Sequence, residues 1–359
     1  MFTWNNANKE ASLQFYTKTH QYYCGIDLHA RTMYVCILNS SGDILVHRNI
    51  QTDQQRFLSL IAPYREDLVV SVECIFTWCW HADVCAREGI PFVLGHALYR
   101  KAIHGVKAKN DTLNSHKIAL LLKGGMLPHA YVYPADRRAT RDLLRRRMNL
   151  SRQRAHLIAH IQNTVHQYNL PAFGVRLGKP TERGGVAEHF PPGATHTMVK
   201  LDLDLIATYD QHLSALEWHL VKQAKIHDAQ AYHLLGSVRG IGKIPTLVLL
   251  YEIHDIRRFP TCGQFLSYAR LVRCPKESAG KVVGKSNKKI GNSHLRWAFG
   301  EAAVLFLKGN PEVQTWIEKQ ASKHGKGKAL AILAKKLAQT VYAMLRKNHC
   351  FDETEFMAN

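Results

Sequence analysis

Acidic residues are scarce in this chain. Its 359 residues include 28 Asp plus Glu against 48 Lys plus Arg, a formal net charge of +20 before any of the 21 His is protonated. Such an imbalance makes a polyanion the leading partner class, nucleic acid ahead of an anionic membrane surface. Long apolar runs are missing as well. The longest, IPTLVLLY at 244–251, falls far short of the roughly 18 residues that cross a bilayer, so no membrane partner is expected. The N-terminal MFTWNNANKEASLQF has no basic segment leading into an apolar one, and no secretory signal is expected. Cysteines are scattered at 24, 36, 74, 79, 85, 262, 274 and 350, with no C-x-x-C and no histidine at zinc-finger spacing, which reads as reduced thiols in a cytosolic protein. There is no internal repeat and no low-complexity tract. What is present in quantity is hydrophobic residue, 46%, enough to bury a core and exclude wholesale disorder.

The pattern along the chain divides into three regions, 1–136, 137–229 and 230–359. In the first, YYCGIDL (22–28), TMYVCIL (32–38) and 43–48 read as three short strands, the last two joined across Ser40-Ser41-Gly42. A helix near 53–64, a strand LVVSVE (68–73), a further helix, a short strand IPFVL (90–94) and a helix over 111–122 follow. Strands in series and then alternating helix and strand predict an α/β domain with a mixed sheet. Residues 137–168 form one helical stretch without Gly or Pro, in which Leu150, Leu157, Ile161 and Val165 lie near heptad spacing. A Gly- and Pro-containing loop or linker (171–195) and a second helix over about 199–227 suggest an antiparallel helical hairpin or coiled coil. The last region reads as mostly helical, apart from a basic, Gly-rich stretch over 274–292.

Four constellations carry chemistry. Asp27 and Glu73 each close a strand of the same expected sheet, where a carboxylate can face a crevice. Asp111 and Asn114, one turn apart at the start of a helix, share a face. Together the four offer hard oxygen ligands for magnesium, as a pair of ions roughly 4 Å apart of the kind that activates phosphodiesters. A turn residue, an ion-paired glutamate and a helix cap account for the same acids equally well. Second, V-R-G-I-G (238–242) resembles a helix-hairpin-helix turn, in which Gly240 and Gly242 let backbone amides approach a phosphate; an ordinary tight turn fits too. Third, Ser278 and Ser286 sit among Lys276, Lys281, Lys285, Lys288, Lys289 and Arg296, a setting that favours a serine nucleophile and a phosphoryl transition state, or else a plain phosphate-contact loop. Fourth, Arg138, Arg141, Arg145, Arg146, Arg147, Arg152 and Arg154 crowd one helix with Asp142 as its only acid, which points to nucleic-acid backbone contact.

These features, in this order, resemble the insertion-sequence-110 transposases, also called DEDD transposases, which include the Piv DNA invertase. The resemblance rests on G-I-D-L-H (25–29), V-E-C (72–74), K-N-D-T-L-N-S-H-K-I-A (109–119), V-R-G-I-G (238–242), E-S-A-G with G-K-S-N-K-K-I-G-N-S-H-L-R (277–296) and H-G-K-G-K-A-L-A-I-L-A-K-K-L-A (324–338). The segments HALYRKAIHG and RATRDLLRRRM look like the 1111 subgroup. The resemblance implies a RuvC-like (RNase H fold) domain over 1–136, a coiled-coil insert over 137–229 and a C-terminal transposase domain over 230–359. It implies Mg2+ at Asp27, Glu73, Asp111 and Asn114, a nucleophilic Ser278, and recombination of donor and target DNA guided by a structured noncoding RNA. A homo-oligomer, dimer or tetramer, is implied too, acting in the bacterial cytoplasm at the nucleoid. The sequence departs from the family at Asn114, where an acid is usual, and at Arg239, where proline is usual. The amide can ligate magnesium through oxygen but adds no charge, so weaker metal binding and reduced cleavage are expected. A RuvC-like junction nuclease, and a nucleic-acid-binding variant without catalysis, are the alternatives.

Overall fold

The computed structural model describes residues 15–96, 111–272, 275–278, 281–285 and 290–358, with backbone alone for 111–112 and for the strands within 275–285. The chain divides into two compact units, one over 11–136 and one from 137 onward.

In the first unit β1 (Tyr22–Leu28), β2 (Thr32–Asn39) and β3 (Ile44–Gln51) form an antiparallel meander. Its second turn is fixed locally: Gly42 takes a φ of 101°, and the Asn39 side-chain oxygen accepts from the amides of Gly42 and Asp43. Strand β4 (Leu68–Glu73) pairs parallel with β1, and β5 (Phe92–Gly95) parallel with β4, giving the sheet order β3-β2-β1-β4-β5. Parallel pairing demands crossovers, supplied by α1 (Gln54–Ile61) before β4 and α2 (Trp78–Arg87) before β5. Residues of β1 and β4 are apolar on both faces, as expected for strands covered on both sides. One face packs Cys24, Ile26, Val70 and Val72 with Phe57 and Ala82 from the two crossover helices. On the other face lies α3 (Asp111–Lys123), with Leu121 and Leu122 against Tyr23 and Val69.

What lets α3 lie so close is Gly25. A Cβ placed there would meet both the Ala119 amide nitrogen and the Ser115 carbonyl oxygen at 2.3 Å. Both are backbone atoms, which no side-chain rotation can move aside.

In the second unit α4 (Ala135–Gln167) and α5 (Ala194–Gly236) form a hairpin. Contacts along it run in opposite senses, His160 with Asp202, Arg154 with Asp210 and Arg147 with Glu217, so the two helices are antiparallel. The segment at 171–195, read from sequence as a loop or linker, is packed: Leu177, Val186 and Phe190 bury against Ile161, Val165, Val199 and Ile206 at the hairpin tip. Asp228 leaves helical geometry (φ −165°, ψ 82°) and its carboxylate caps the Ala231 amide, so α5 breaks there and restarts. The base of the hairpin merges with the helices that follow, Leu144, Met148, Leu220 and Ala224 packing in one core with α6 (Lys243–Ile253), α8 (Ser293–Phe306) and α10 (Lys326–Lys347). Helix α6 is buried from Pro245 to Ile253, which explains the apolar run that is too short for a membrane. Short α7 (Cys262–Tyr268), α9 (Pro311–His324) and α11 (Glu353–Ala358) complete the unit. Among the described residues no helix is long and apolar enough to cross a membrane.

The Gly25 contact makes a sharp prediction. Replacing Gly25 with Ala must push α3 off the sheet, at a cost of about 3 kcal/mol or more, since overpacking against backbone finds no relaxation. Thermal unfolding of Gly25→Ala should show that loss; wild-type stability would mean that α3 does not pack as described.

Candidate functional site

The acidic site follows from strand register. Ile26 lies beside Val72 in the parallel pair, so the next positions, Asp27 and Glu73, are neighbours at the carboxyl ends of β1 and β4. Strand alternation puts Asp27 on the face of Gly25, and Glu73 on the face of Ser71, which pairs with Gly25. That is the face on which α3 lies. Asp27 is 6% exposed and Glu73 half-buried. Asn114, in the first turn of α3, donates from Nδ2 to Asp27 Oδ2 at 3.0 Å. Asp111 opens α3 one turn earlier; only its backbone is described. Two parallel strands and one helix thus place three of the four predicted positions, Asp27, Glu73 and Asn114, at the carboxyl ends of β1 and β4, and the fourth starts that helix.

Histidines flank these strand ends, a feature the sequence reading passed over although His29 stands in G-I-D-L-H. His29 Nε2 is 3.8 Å from Asp27 Oδ2. His47 Nε2 lies 3.5 Å from the buried Ser115 hydroxyl, and its ring is 5.9 Å from that of His116. Burial, and then the neighbouring His47, hold His116 below the ordinary imidazole value. Among the described residues no three His, Cys, Asp or Glu side chains are arranged as a metal cage.

In the second unit, Ser278 ends β6 (Pro275–Ser278), which pairs with β7 (Lys281–Lys285) as an antiparallel hairpin. Ser278 is in register with Lys281, Lys276 with Gly284, and Pro275 with Lys285, so backbone pairing sets three cationic positions around the serine's hairpin. Ser286, Lys288 and Lys289 lie outside the described residues. Arg296, in the first turn of α8, is exposed and makes no ion pair among the described residues.

What anchors the far end of this basic segment is a residue the sequence reading missed. Glu252, 3% exposed at the end of α6, accepts two hydrogen bonds from Arg145, at 2.7 and 2.8 Å, and one from Asn292 Nδ2 at 2.7 Å. Asn292 in turn caps α8 through the amides of His294 and Leu295. Burial pushes the Glu252 carboxyl up, but the hydrogen bonds and charge of Arg145, helped by Asn292, hold it below the ordinary carboxylate value. Its only sequence signal was a lone acid closing an apolar helix.

The arginine helix needs correction. Arg145 is committed to Glu252, Arg147 to Glu217, and Arg154 to Asp210 at 2.6 Å. Arg138 is buried, and Arg141 is largely buried beside Asp142. Arg145, Arg147 and Arg154, read as nucleic-acid contacts, are engaged as internal struts, with counter-charges on α5 and α6 that lie tens of residues away and are invisible to local spacing. Arg146 and Arg152 are exposed and unpaired among the described residues, and carry what remains of that reading. Gly240 is also reassigned. At φ 82°, a Cβ there would lie 2.6 Å from the Phe306 amide nitrogen, so its role is close packing on α8. Gly242, at the N-cap of α6, has open space around it. Arg239, which stands where the family usually has proline, donates to the Gly309 carbonyl and lies 3.7 Å from Glu353, tying the turn to the end of the chain.

Comparison with known proteins gives two family models and a relative. A DEDD transposase model of the IS110 type, described as "Transposase", matches residues 24–170. A second, described as "Transposase IS116/IS110/IS902 family", matches residues 232–318. Between them they take in the acidic sheet, the arginine helix, the G-I-G turn and the serine hairpin. The transposase for insertion sequence element IS1111A of Coxiella burnetii (strain RSA 493 / Nine Mile phase I) is 23% identical over 337 residues, covering 91% of this chain and 90% of that protein. Acids gathered at the ends of two parallel strands, a basic serine hairpin downstream and two models matched in the same order identify one family: the chain belongs to the IS110 family of insertion-sequence transposases, enzymes that cut and rejoin DNA.

Proposed function

We propose that this transposase is an RNA-guided serine recombinase of the 1111 subgroup, with a RuvC-like acidic domain and Ser278 as nucleophile. The observation that carries the reading is that Asp27 and Glu73 are neighbours at the carboxyl ends of the central strands β1 and β4, with Asn114 bonded to Asp27, in a sheet ordered β3-β2-β1-β4-β5. That order, with an antiparallel meander leading into parallel strands, supports the RuvC-like assignment. The basic hairpin around Ser278 supports the nucleophile. The family resemblance supports guidance by a structured RNA, work on donor and target DNA, and an oligomer in which one subunit's acids serve another's serine.

The donor chemistry fits magnesium. Asp27 and Glu73 offer carboxylate oxygens, Asp111 a third carboxylate, and Asn114 an amide oxygen once its side chain turns over, since the nitrogen now facing Asp27 cannot ligate. When bound, Mg2+ supplies electrostatic stabilisation of the phosphoryl group undergoing transfer. In the first step Ser278 Oγ bonds to phosphorus, the bond to the leaving deoxyribose oxygen breaks, and the hydroxyl proton ends on that oxygen. In the second, a hydroxyl of the partner strand bonds to phosphorus, the bond to Ser278 Oγ breaks and the serine regains a proton. One phosphoester bond is exchanged for another at each step, so no ATP is consumed. Lysines of the hairpin and Arg296 hold the strand by its phosphates, and base pairing with the RNA supplies sequence choice.

With donor DNA, target DNA and the RNA, an SDS-stable protein–DNA adduct should form and be absent in Ser278→Ala; hydrolysis with no adduct, unchanged in that variant, would instead indicate a junction nuclease. A separate expectation concerns Asn114. In metal-free buffer Asn114→Asp should lose about 1–3 kcal/mol of stability, because a hydrogen bond to a buried carboxylate becomes a like-charge contact. With Mg2+ present the added charge should lower the magnesium needed for half-maximal cleavage by about tenfold. Thermal unfolding with and without Mg2+, beside cleavage titrations, checks both; no response of either to the substitution removes Asn114 from the metal set.

A further inference from the structure

Helix α5 carries its largest exposed side chain where the hairpin has no use for it. The buried stripe of this part of the helix runs through Leu213, Leu220 and Ala224, whereas Trp218 is 69% exposed. It lines a groove of about 490 Å³ with Val221, Lys222, Lys225, Glu217 and Lys243, the last from the start of α6. Lys222 Nζ lies 5.5 Å from the indole centroid. Lys222 and Lys225 are exposed and meet no acid among the described residues. Glu217, the groove's only acid, is already shared between Lys243 at 2.6 Å and Arg147. A largely exposed indole, with the Lys222 ammonium over its ring, is therefore set in a positively charged groove with ample room for a nucleobase.

We propose that Trp218, Lys222, Lys225 and Lys243 form a binding site for an unpaired stretch of nucleic acid, one base stacking on the indole and the adjoining phosphates resting on the lysines. Stacking on an aromatic ring beside a cationic track is how single strands are held without sequence readout. A second copy of the chain is disfavoured by charge, since a two-fold contact centred on Trp218 would gather Lys222 and Lys225 of both copies around one acid per copy, Glu217, that is already paired. A lipid surface is disfavoured because one ring amid lysines offers no broad apolar face. The contacts reach base face and phosphate and none is directed at the sugar, so RNA and DNA single strands are equivalent ligands. The site lies apart from the acids and from Ser278 in the sequence, and its occupation does not depend on cleavage.

The test uses the full chain with the ten-residue strands U10 and dT10, each also carrying one thio-substituted base for ultraviolet crosslinking. The expected result is a crosslink on the peptide containing Trp218 with both strands. In Trp218→Ala that crosslink should be lost and the dissociation constant raised about tenfold, whereas Trp218→Phe, which keeps a ring, should stay within about threefold. Replacing Lys222 and Lys225 together by Gln should reduce the slope of log affinity against log salt by about 1.4, two phosphates' worth for a single strand. Circular dichroism of each variant confirms that the hairpin is intact. Crosslinks found only elsewhere, unchanged affinity in a folded Trp218→Ala, a tenfold preference for one sugar, or a change of oligomeric state in the free Trp218→Ala protein would each overturn the proposal.

Discussion

The acidic site exists because a side chain is missing next to it. With nothing beyond Cα at Gly25, the backbone of α3 settles directly on β1, closer than any pair of packed side chains would allow. Two residues along the strand this closeness becomes chemistry. Asp27 emerges on the same face, and the first turn of the docked helix sets Asn114 against it at 3.0 Å. Parallel register with β4 fixes Glu73 beside them. None of these three side chains would be positioned by its own local structure. Asn114 is held by a helix whose place depends on the contact at Gly25, and Asp27 and Glu73 by the parallel register of β1 and β4.

A comparable role in the second unit falls to Glu252. A buried carboxylate is costly unless its oxygens are fully engaged, and breaking such a pair costs about 3–5 kcal/mol. Here Arg145 from α4 and Asn292 from the cap of α8 engage both oxygens, so three helices distant in sequence are tied at one point. The consequence runs outward in both directions. Toward the hairpin it fixes α4, whose neighbouring arginines then meet Glu217 and Asp210 on α5. Toward the C-terminus it fixes the start of α8, where the segment carrying the serine and its lysines rejoins the helical core. Part of the excess positive charge is thus engaged internally as struts, while Arg146, Arg152 and Arg296 are exposed and meet no acid among the described residues.

Much of the first unit was legible in the sequence because its signals are local. Alternating apolar residues, the Ser40-Ser41-Gly42 turn and acids closing strands placed the strands of the sheet to within three residues, β3 running on to Gln51 where 48 was expected, and the mixed α/β character followed. The long helices were legible for the same reason, lacking Gly and Pro. What escaped depends on pairing across distance. The arginine helix looked like a naked cationic face because spacing rules see only four residues either way, whereas Glu217 and Glu252 lie 70 and 107 residues from their partners. The segment at 171–195 looked like a linker from its Gly and Pro, but three of its apolar side chains cap the hairpin tip. Gly240 looked available to a phosphate because a motif reports which residue lacks a side chain, not which neighbour fills the space.

Asn114 is where the two kinds of information meet. A fourth acid at this position, without metal, would bring its charge against Asp27, a carboxylate only 6% exposed. The amide removes that repulsion and donates a hydrogen bond in its place, so the metal-free site is settled rather than strained. The same exchange weakens the pull on a cation, because a neutral oxygen replaces a charged one. Under the proposed metal role, four acids would repel one another without a cation and hold one tightly, whereas Asn114 would ease that repulsion and hold the cation less tightly. In that proposed role less of the affinity for the cation would reside in the free protein, and more would come from the phosphate of the DNA, which brings an oxygen ligand and negative charge of its own. Asn114 would then couple metal binding to substrate binding more tightly than an acid would, with Asp27 and Glu73 as the anchors of the proposed site.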